Sequence, residues 1–108
     1  MLELKEKSCV LLKHGTPPLT KTEIDELKKG LFTEWKVENH KKLSRRFPFL
    51  SFKRAMTFVE DVGLLAQQEN HHPDICIHYT NVDIELSTHD IGGLSENDFI
   101  MAAKIEDL

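Results

Sequence analysis

The amino-acid sequence predicts an α+β fold: a four-stranded antiparallel sheet covered on one face by helices, in the order α-β-β-α-β-β-α. Two pairs of short segments have the residue types and apolar–polar alternation of strands, and within each pair the segments are close enough to form a hairpin. A long segment with apolar residues at helical spacing separates the two pairs, and a capped helix ends the chain. At 108 residues, the chain can bury one core but is too short for two domains.

The first segment, residues 1–19, ends in the sequence HGTPPL, whose glycine and prolines predict an irregular leader before a single domain at residues 20–108. The sequence TKTEIDELKKG then predicts a short helix. Thr20 is its expected N-cap, Glu23 occupies the capping-box position, and Gly30 is expected to end it.

Two strands are predicted next, in FTEWKVEN and LSRRFPFL, on either side of the polar turn sequence HKK. Pro48 predicts an edge position or a bulge for the second strand, because proline cannot donate a backbone hydrogen bond. The longest helix is predicted from Ser51 to Asn70, where apolar residues recur at i, i+3, i+4 and i+7. These residues are Phe52, Ala55, Met56, Val59, Val62, Gly63 and Ala66.

The helix is expected to end at the sequence HHP, because Pro73 biases His72 toward an extended conformation. A strand, DICIHY, follows, and the next strand, NVDIELSTH, alternates apolar with polar residues. His89 lies on the polar side of that alternation, at the end of the strand. Ser95 is the predicted N-cap of the last helix, ENDFIMAAKIEDL.

Composition excludes several classes of function. The net charge is -4 and the basic residues are scattered, so direct binding to nucleic acid is not expected. The apolar run Cys9–Leu12 is far too short for a signal-peptide core or a membrane span. The two cysteines, Cys9 and Cys76, form no CxxC pair or disulfide framework, which favours a reducing compartment and a cytoplasmic location. Cys76 is expected to be a small packed residue of its strand.

Four histidines within nineteen residues, His71, His72, His78 and His89, suggest either metal binding or proton transfer. Metal binding is disfavoured, because adjacent residues of an extended chain point to opposite sides and the sequence has no HxH or HxxxH pair. The histidines could instead satisfy backbone groups near a helix C-terminus. The third interpretation is a metal-free acid/base site, in which several imidazoles supply both a proton donor and a proton acceptor.

The histidines belong to a longer pattern. It comprises HHP at residues 71–73, Tyr79, His89 and Asp98, together with Trp35, FPFLSFKRAMTFV and LSTHDIGGLSENDFIMAAK. From about Leu19 onward, this pattern closely resembles the pterin-4a-carbinolamine dehydratase family.

The resemblance implies dehydration of a 4a-hydroxytetrahydropterin to quinonoid dihydropterin and water, which recycles the pterin cofactor of aromatic amino acid hydroxylases. It implies no metal and no organic cofactor, a hydroxylase as functional partner, and a homo-oligomer, either a dimer or a tetramer. By the same resemblance, His71 and His89 would transfer protons and His72 would orient the pterin. The substrate contacts implied are Asp98, Trp35, Pro73 and Thr88.

Some alternatives stay open at this point. Asp98 is also the N3 residue of the helix capped by Ser95, and Trp35 could be a core residue. The family's acidic position, four residues before the first histidine, is Gln67 here. Glu69 is no simple replacement, because two residues along a helix correspond to a rotation of about 200°. A non-catalytic pterin-binding protein, or a dimerisation or interaction protein of the same fold, is the alternative function.

Overall fold

A computed structural model describes residues 3–108, and its elements confirm the predicted α+β class. The helices are α1 (Lys21–Lys28), α2 (Phe52–Glu69) and α3 (Glu96–Glu106). The strands are β1 (Lys36–Glu38), β2 (Lys42–Pro48), β3 (Asp74–His78) and β4 (Asn81–Leu86). They form one antiparallel sheet in the order β1-β2-β4-β3. Along the described chain, no helix is both long and apolar enough to cross a membrane.

The sheet has one buried and one open face, and the strand register decides which residues lie on each. In β4, Val82, Ile84 and Leu86 are buried and alternate with partly exposed polar residues. Leu43 of β2 pairs with Leu86 on the same buried face. These side chains belong to the apolar core shared with α2 and α3. The period-2 alternation in the sequence therefore reports the orientation of the sheet correctly.

Strand β2 lies between β1 and β4, so the edge position predicted from Pro48 is wrong. Pro48 is the last residue of β2, where it pairs with Asn81 of β4. Strand β1 pairs only with residues 42–44, and so Pro48 lies beyond the part of β2 that needs hydrogen bonds on both sides.

Helix α2 has the predicted bounds. The Ser51 side chain accepts a hydrogen bond from the Arg54 backbone, and Asn70 ends the helix in the left-handed conformation at φ 51°. The predicted apolar stripe is correct at its centre but not at its first residue, since Phe52 is half-exposed. Phe58 is buried instead, with its ring centroid 4.7 Å from that of Phe47.

The two predicted capping boxes are present, Thr20 with Glu23 on α1 and Ser95 with Asp98 on α3. The described part of the leader contains a 3₁₀ turn at Leu4–Glu6, which packs against α3.

Cys76 differs from its expected packed state. It is exposed, because it faces the open side of the sheet opposite Asp83.

Candidate active site

The chain reverses direction at the end of α2, and this reversal separates the two adjacent histidines. The N–H groups of Asn70 and His71 both donate to the carbonyl of Ala66. This hydrogen bonding is typical of an α-helix that ends with one residue, here Asn70, in the left-handed conformation. His71 then points into the protein and His72 points outward. This agrees with the expectation that neighbouring residues before Pro73 face opposite sides.

His71 lies against a fully buried carboxylate. Its Nε2 is 2.7 Å from Oδ1 of Asp98, and its own side chain is largely buried. With Asp98 ionised, its carboxylate only accepts hydrogen bonds, and Nε2 is then the protonated nitrogen in this contact. The Nδ1 atom of His71 is then the nitrogen that can take up or release a proton.

The Asp98 carboxylate is held in place by neutral donors. Its Oδ2 accepts from the Ser95 backbone N–H at 3.0 Å and from the Thr88 hydroxyl at 2.8 Å. The Ser95 hydroxyl lies 2.7 Å from the Thr88 hydroxyl, which extends the network by one more hydrogen bond. Asp98 therefore caps α3, as its spacing to Ser95 predicted, and also contacts His71, while its contact with a substrate stays a prediction.

His72 lies in a different environment. Its exposed ring places Nε2 2.6 Å from Oε1 of Gln67. The Glu69 carboxylate is bonded to other residues: its Oε1 accepts from the Cys9 backbone N–H at 2.8 Å, and its Oε2 is 3.7 Å from Nζ of Lys104. Glu69 is thus no substitute for an acid at position 67, as the helical rotation predicted.

His89 lies beyond β4 rather than at its end, in a 3₁₀ turn at His89–Ile91. Its side chain is exposed and makes no hydrogen bond to any other residue between 3 and 108. Its neighbours Thr88 and Asp90 line the same cavity as His71, but His89 itself is not among the lining residues, and neither is His72.

The cavity beside His71 has a volume of about 380 Å³, at the lower end of the range for small-molecule sites. Three parts of the chain enclose it: the leader, the end of α2, and the segment that joins β4 to α3. The lining residues are Cys9–Leu12, Gln68–His71, Thr88, Asp90 and Asn97. Within residues 3–108, no group of three or more His, Cys, Asp or Glu side chains is arranged to hold a metal ion.

Of the four residues predicted to contact a substrate, three lie outside this cavity lining: Asp98, Trp35 and Pro73. Trp35 is fully buried, with its ring packed edge-on against Phe47 at 5.7 Å between centroids, so the core interpretation of this residue is the correct one. Pro73 follows the exposed His72 and does not line the cavity. Asp98 is fully buried and lies behind His71, and Thr88 is the one residue of that prediction that lines the cavity.

Comparison with known proteins agrees with this geometry. A family model described as pterin 4 alpha carbinolamine dehydratase matches residues 17–108. The chain belongs to the pterin-4-alpha-carbinolamine dehydratase family. A relative from Rubrobacter xylanophilus is 45% identical over 108 residues, which is 100% of both chains. A relative from Alkaliphilus metalliredigens is 45% identical over 106 residues, 98% of this chain and 96% of the relative. Both carry the dehydratase name provisionally.

Two solved structures share the fold. A protein from Brucella melitensis, described as a transcriptional coactivator/pterin dehydratase, has a TM-score of 0.76 and 33% identity over 82% of this chain and 95% of its own. A pterin dehydratase-like protein described as a RuBisCO assembly factor has a TM-score of 0.61 and 23% identity, over 70% of this chain and 89% of its own, and supports the fold alone.

The family pattern accounts for His71, His72, His89 and Asp98, but not for the leader that encloses the cavity. Cys9 donates its N–H to Glu69, and Val10 is bound by the side chain of Asn97. Sequence reasoning missed these residues because their contacts join positions 60 and 87 residues apart, for which no local pattern exists. The one available signal was the apolar run Cys9–Leu12 within a polar leader.

Proposed function

We propose that the protein dehydrates a 4a-hydroxytetrahydropterin to quinonoid dihydropterin and water, by acid/base catalysis at histidines. In this reaction the C4a–O bond breaks, the departing hydroxyl gains a proton to become water, and N5 loses its proton as the C4a=N5 bond forms. One group must give a proton and another must take one, so the reaction is balanced without an oxidant or a reductant. Family membership and the cavity beside His71 support this proposal.

The contact between His71 and Asp98 is the observation that carries the proposal. A buried carboxylate that accepts from Nε2 fixes the ring orientation and the tautomer, and it can pair with the positive charge that the ring acquires on protonation. The Nδ1 atom is left for proton transfer. Because the Asp98 carboxylate already accepts from Thr88 and Ser95, it needs no reorganisation during the reaction.

The remaining histidines receive complementary roles. His89 is proposed to be the second proton-transfer group, because it lies on the turn beside the cavity and its ring forms no hydrogen bond within residues 3–108 that would hold it elsewhere. His72 is proposed to bind and orient the pterin while Gln67 fixes its ring. In the family pattern position 67 is acidic, so the amide makes this contact without adding a negative charge.

The test is a stopped-flow measurement of carbinolamine dehydration by ultraviolet absorbance, after exhaustive chelation, with the wild type, His71→Ala and His78→Ala. His78 is the matched control, since it is an exposed histidine on the open face of the sheet, close to Asp83. The wild type should accelerate dehydration in the presence of chelator. His71→Ala should lose about 10²- to 10⁴-fold of that acceleration, the usual contribution of one acid/base group, and His78→Ala should retain it.

A wild-type rate equal to that in buffer would overturn the proposal. Equal rates for the two alanine variants would remove His71 from the mechanism. The Brucella melitensis structure carries a coactivator description as well, so an interaction function is the alternative for this fold. In that case partner binding would survive His71→Ala, and dehydration would be absent from the start. A cytoplasmic homo-oligomer that serves an aromatic amino acid hydroxylase remains the expected setting.

A further inference from the structure

The leader contributes a wall to the cavity beside His71, although the matched family model begins only at residue 17. We call residues Cys9–Leu12 the leader strap. All four residues line the cavity, together with His71 and Thr88. The strap is therefore part of the site and lies outside the segment that defines the family.

The strap is held by specific hydrogen bonds rather than by loose packing. The Asn97 side chain binds both polar groups of the Val10 backbone: Oδ1 accepts from its N–H at 3.0 Å, and Nδ2 donates to its carbonyl at 2.7 Å. Asn97 is buried, so both its amide groups are satisfied by the strap. The Glu69 carboxylate accepts from the Cys9 N–H at 2.8 Å, and Lys104 lies near its second oxygen.

These two anchors are neighbours of the proposed catalytic pair. Asn97 immediately precedes Asp98 on the first turn of α3, and Glu69 lies two residues before His71 at the end of α2. The same helix ends that hold His71 against Asp98 thus also hold the strap. Any movement of the strap away from the cavity must break contacts one or two residues from that pair.

Two of the four strap side chains, Val10 and Leu11, are apolar yet largely exposed, whereas Cys9 and Leu12 are partly buried. Val10 is 63% exposed and Leu11 is 94% exposed, beside a cavity large enough for a small ring system. Exposed apolar side chains at the rim of a cavity gain free energy when a flat ligand covers them. A reduced pterin ring, which His71 would contact on one side, supplies such a surface.

We propose that the leader strap is the substrate-binding wall of this site, with its apolar side chains over the pterin ring, and that Asn97 and Glu69 are the residues that position it. This inference rests on the proposed function, because it takes the ligand to be the pterin. It assigns the strap to binding rather than to proton transfer. Loosening the strap should therefore weaken substrate binding and leave the chemical step unchanged.

The kinetic test compares Asn97→Leu and Val10→Pro with Lys7→Met. Asn97→Leu keeps a similar side-chain volume but removes both hydrogen bonds to Val10. Val10→Pro removes only the hydrogen bond that the Val10 N–H donates to Asn97, and it changes an exposed residue rather than the core. Lys7→Met is the matched control, since it breaks the leader's ion pair with Glu96 at 2.8 Å outside the strap. Both strap variants should raise KM about tenfold, as expected for the loss of one or two hydrogen bonds, with kcat within about twofold.

A second readout does not depend on turnover. Burial, followed by the charge of Glu69, raises the pKa of the Cys9 thiol to about 12, so this thiol should react slowly with a maleimide near neutral pH. In a Cys76→Ser background, which leaves Cys9 as the one thiol, the stable pterin 7,8-dihydrobiopterin should slow the labelling of Cys9 further. Asn97→Leu should accelerate labelling and abolish the protection by the pterin.

The outcomes separate the two proposals. If both strap variants match Lys7→Met in KM, or if 7,8-dihydrobiopterin leaves Cys9 labelling unchanged, the strap is not the binding wall. If the wild type shows no dehydration but the pterin still protects Cys9, the proposed catalysis fails and the binding wall is retained. Absence of both turnover and protection would overturn both proposals.

Discussion

His71 and Asp98 form one histidine–aspartate pair of the described chain, and His78 and Asp83 form another. In the first pair the nitrogen–oxygen distance is 2.7 Å, and the side chains are 13% and 0% exposed. In the second pair the distance is 3.3 Å, with 57% and 31% exposed. The first pair joins the ends of two helices beside a cavity, whereas the second lies on the open face of the sheet.

The two carboxylates also differ in what else they bind. Arg46 binds both oxygens of Asp83, at 2.7 and 3.0 Å, and the hydrogen bond and charge of this guanidinium lower the pKa of Asp83. Asp98 instead accepts from neutral groups, the Ser95 N–H and the Thr88 hydroxyl. His78 therefore shares Asp83 with the permanently charged Arg46. Among the described residues, His71 is the one ionisable side chain that contacts Asp98. Proximity alone does not make such a pair suitable for proton transfer.

The largest expected difference between the pairs comes from removing the negative charge of each aspartate. Asp98→Asn keeps the shape and the acceptor for Ser95, but it presents an amide N–H to His71, which favours the wrong imidazole tautomer. We expect a loss of roughly 10²-fold or more in kcat, by analogy with the effect of this change in Ser-His-Asp sites. Asp83→Asn should leave kcat unchanged. Stopped-flow dehydration rates of both variants measure the difference directly.

Circular dichroism and urea unfolding of Asp98→Asn serve as the folding control. If the folded Asp98→Asn protein has the wild-type kcat, then Asp98 is only a helix cap. The contact with His71 would then be incidental to the chemistry.

The separation of the two neighbouring histidines could be predicted from the sequence because its causes are local. Pro73 restricts the residue before it, and Asn70 can adopt the left-handed conformation that ends a helix. The capping role of Asp98 could likewise be predicted, from its spacing to Ser95. Its contact with His71 was not, because it joins residues 27 positions apart and depends on how α2 packs on α3.

Tertiary packing also decided the features that were predicted wrongly. Proline cannot donate a backbone hydrogen bond, and Pro48 does lie where β2 pairs on one side only. The edge position inferred from it was nevertheless wrong, because strand order depends on the pairing of β2 with β4. Cys76 lies on a strand as predicted, but its pairing opposite Asp83 puts it on the open face of the sheet and leaves it exposed. The contacts of the leader could not be predicted from the sequence, because they depend on where the fold places Asn97 and Glu69.

A smaller effect should follow from removing the hydroxyl that links Asp98 to Ser95. Thr88→Val leaves Asp98 with one fewer donor in a buried network. It should lower the free energy of unfolding by about 1–3 kcal/mol and the rate only several-fold. Thr57→Val is the matched control, because the Thr57 hydroxyl bonds only the Lys53 carbonyl on the exposed face of α2. Urea denaturation of the two variants gives the comparison, and equal midpoints would mean that the network adds nothing to stability.

The smallest effect concerns the exposed pair and its dependence on pH. The pKa of Asp83 is lowered in the folded protein, so its stabilising contribution is fully present above the ordinary value of 3.8 and is lost as pH falls through the lower, folded value. The small gap in urea midpoint between the wild type and Asp83→Asn should therefore be present at neutral pH, shrink in high salt, and close in strong acid. A gap that persists in both conditions would mean that Asp83 acts through uncharged hydrogen bonds, as the residues around Asp98 do. The contrast between the two pairs would then lie in burial alone.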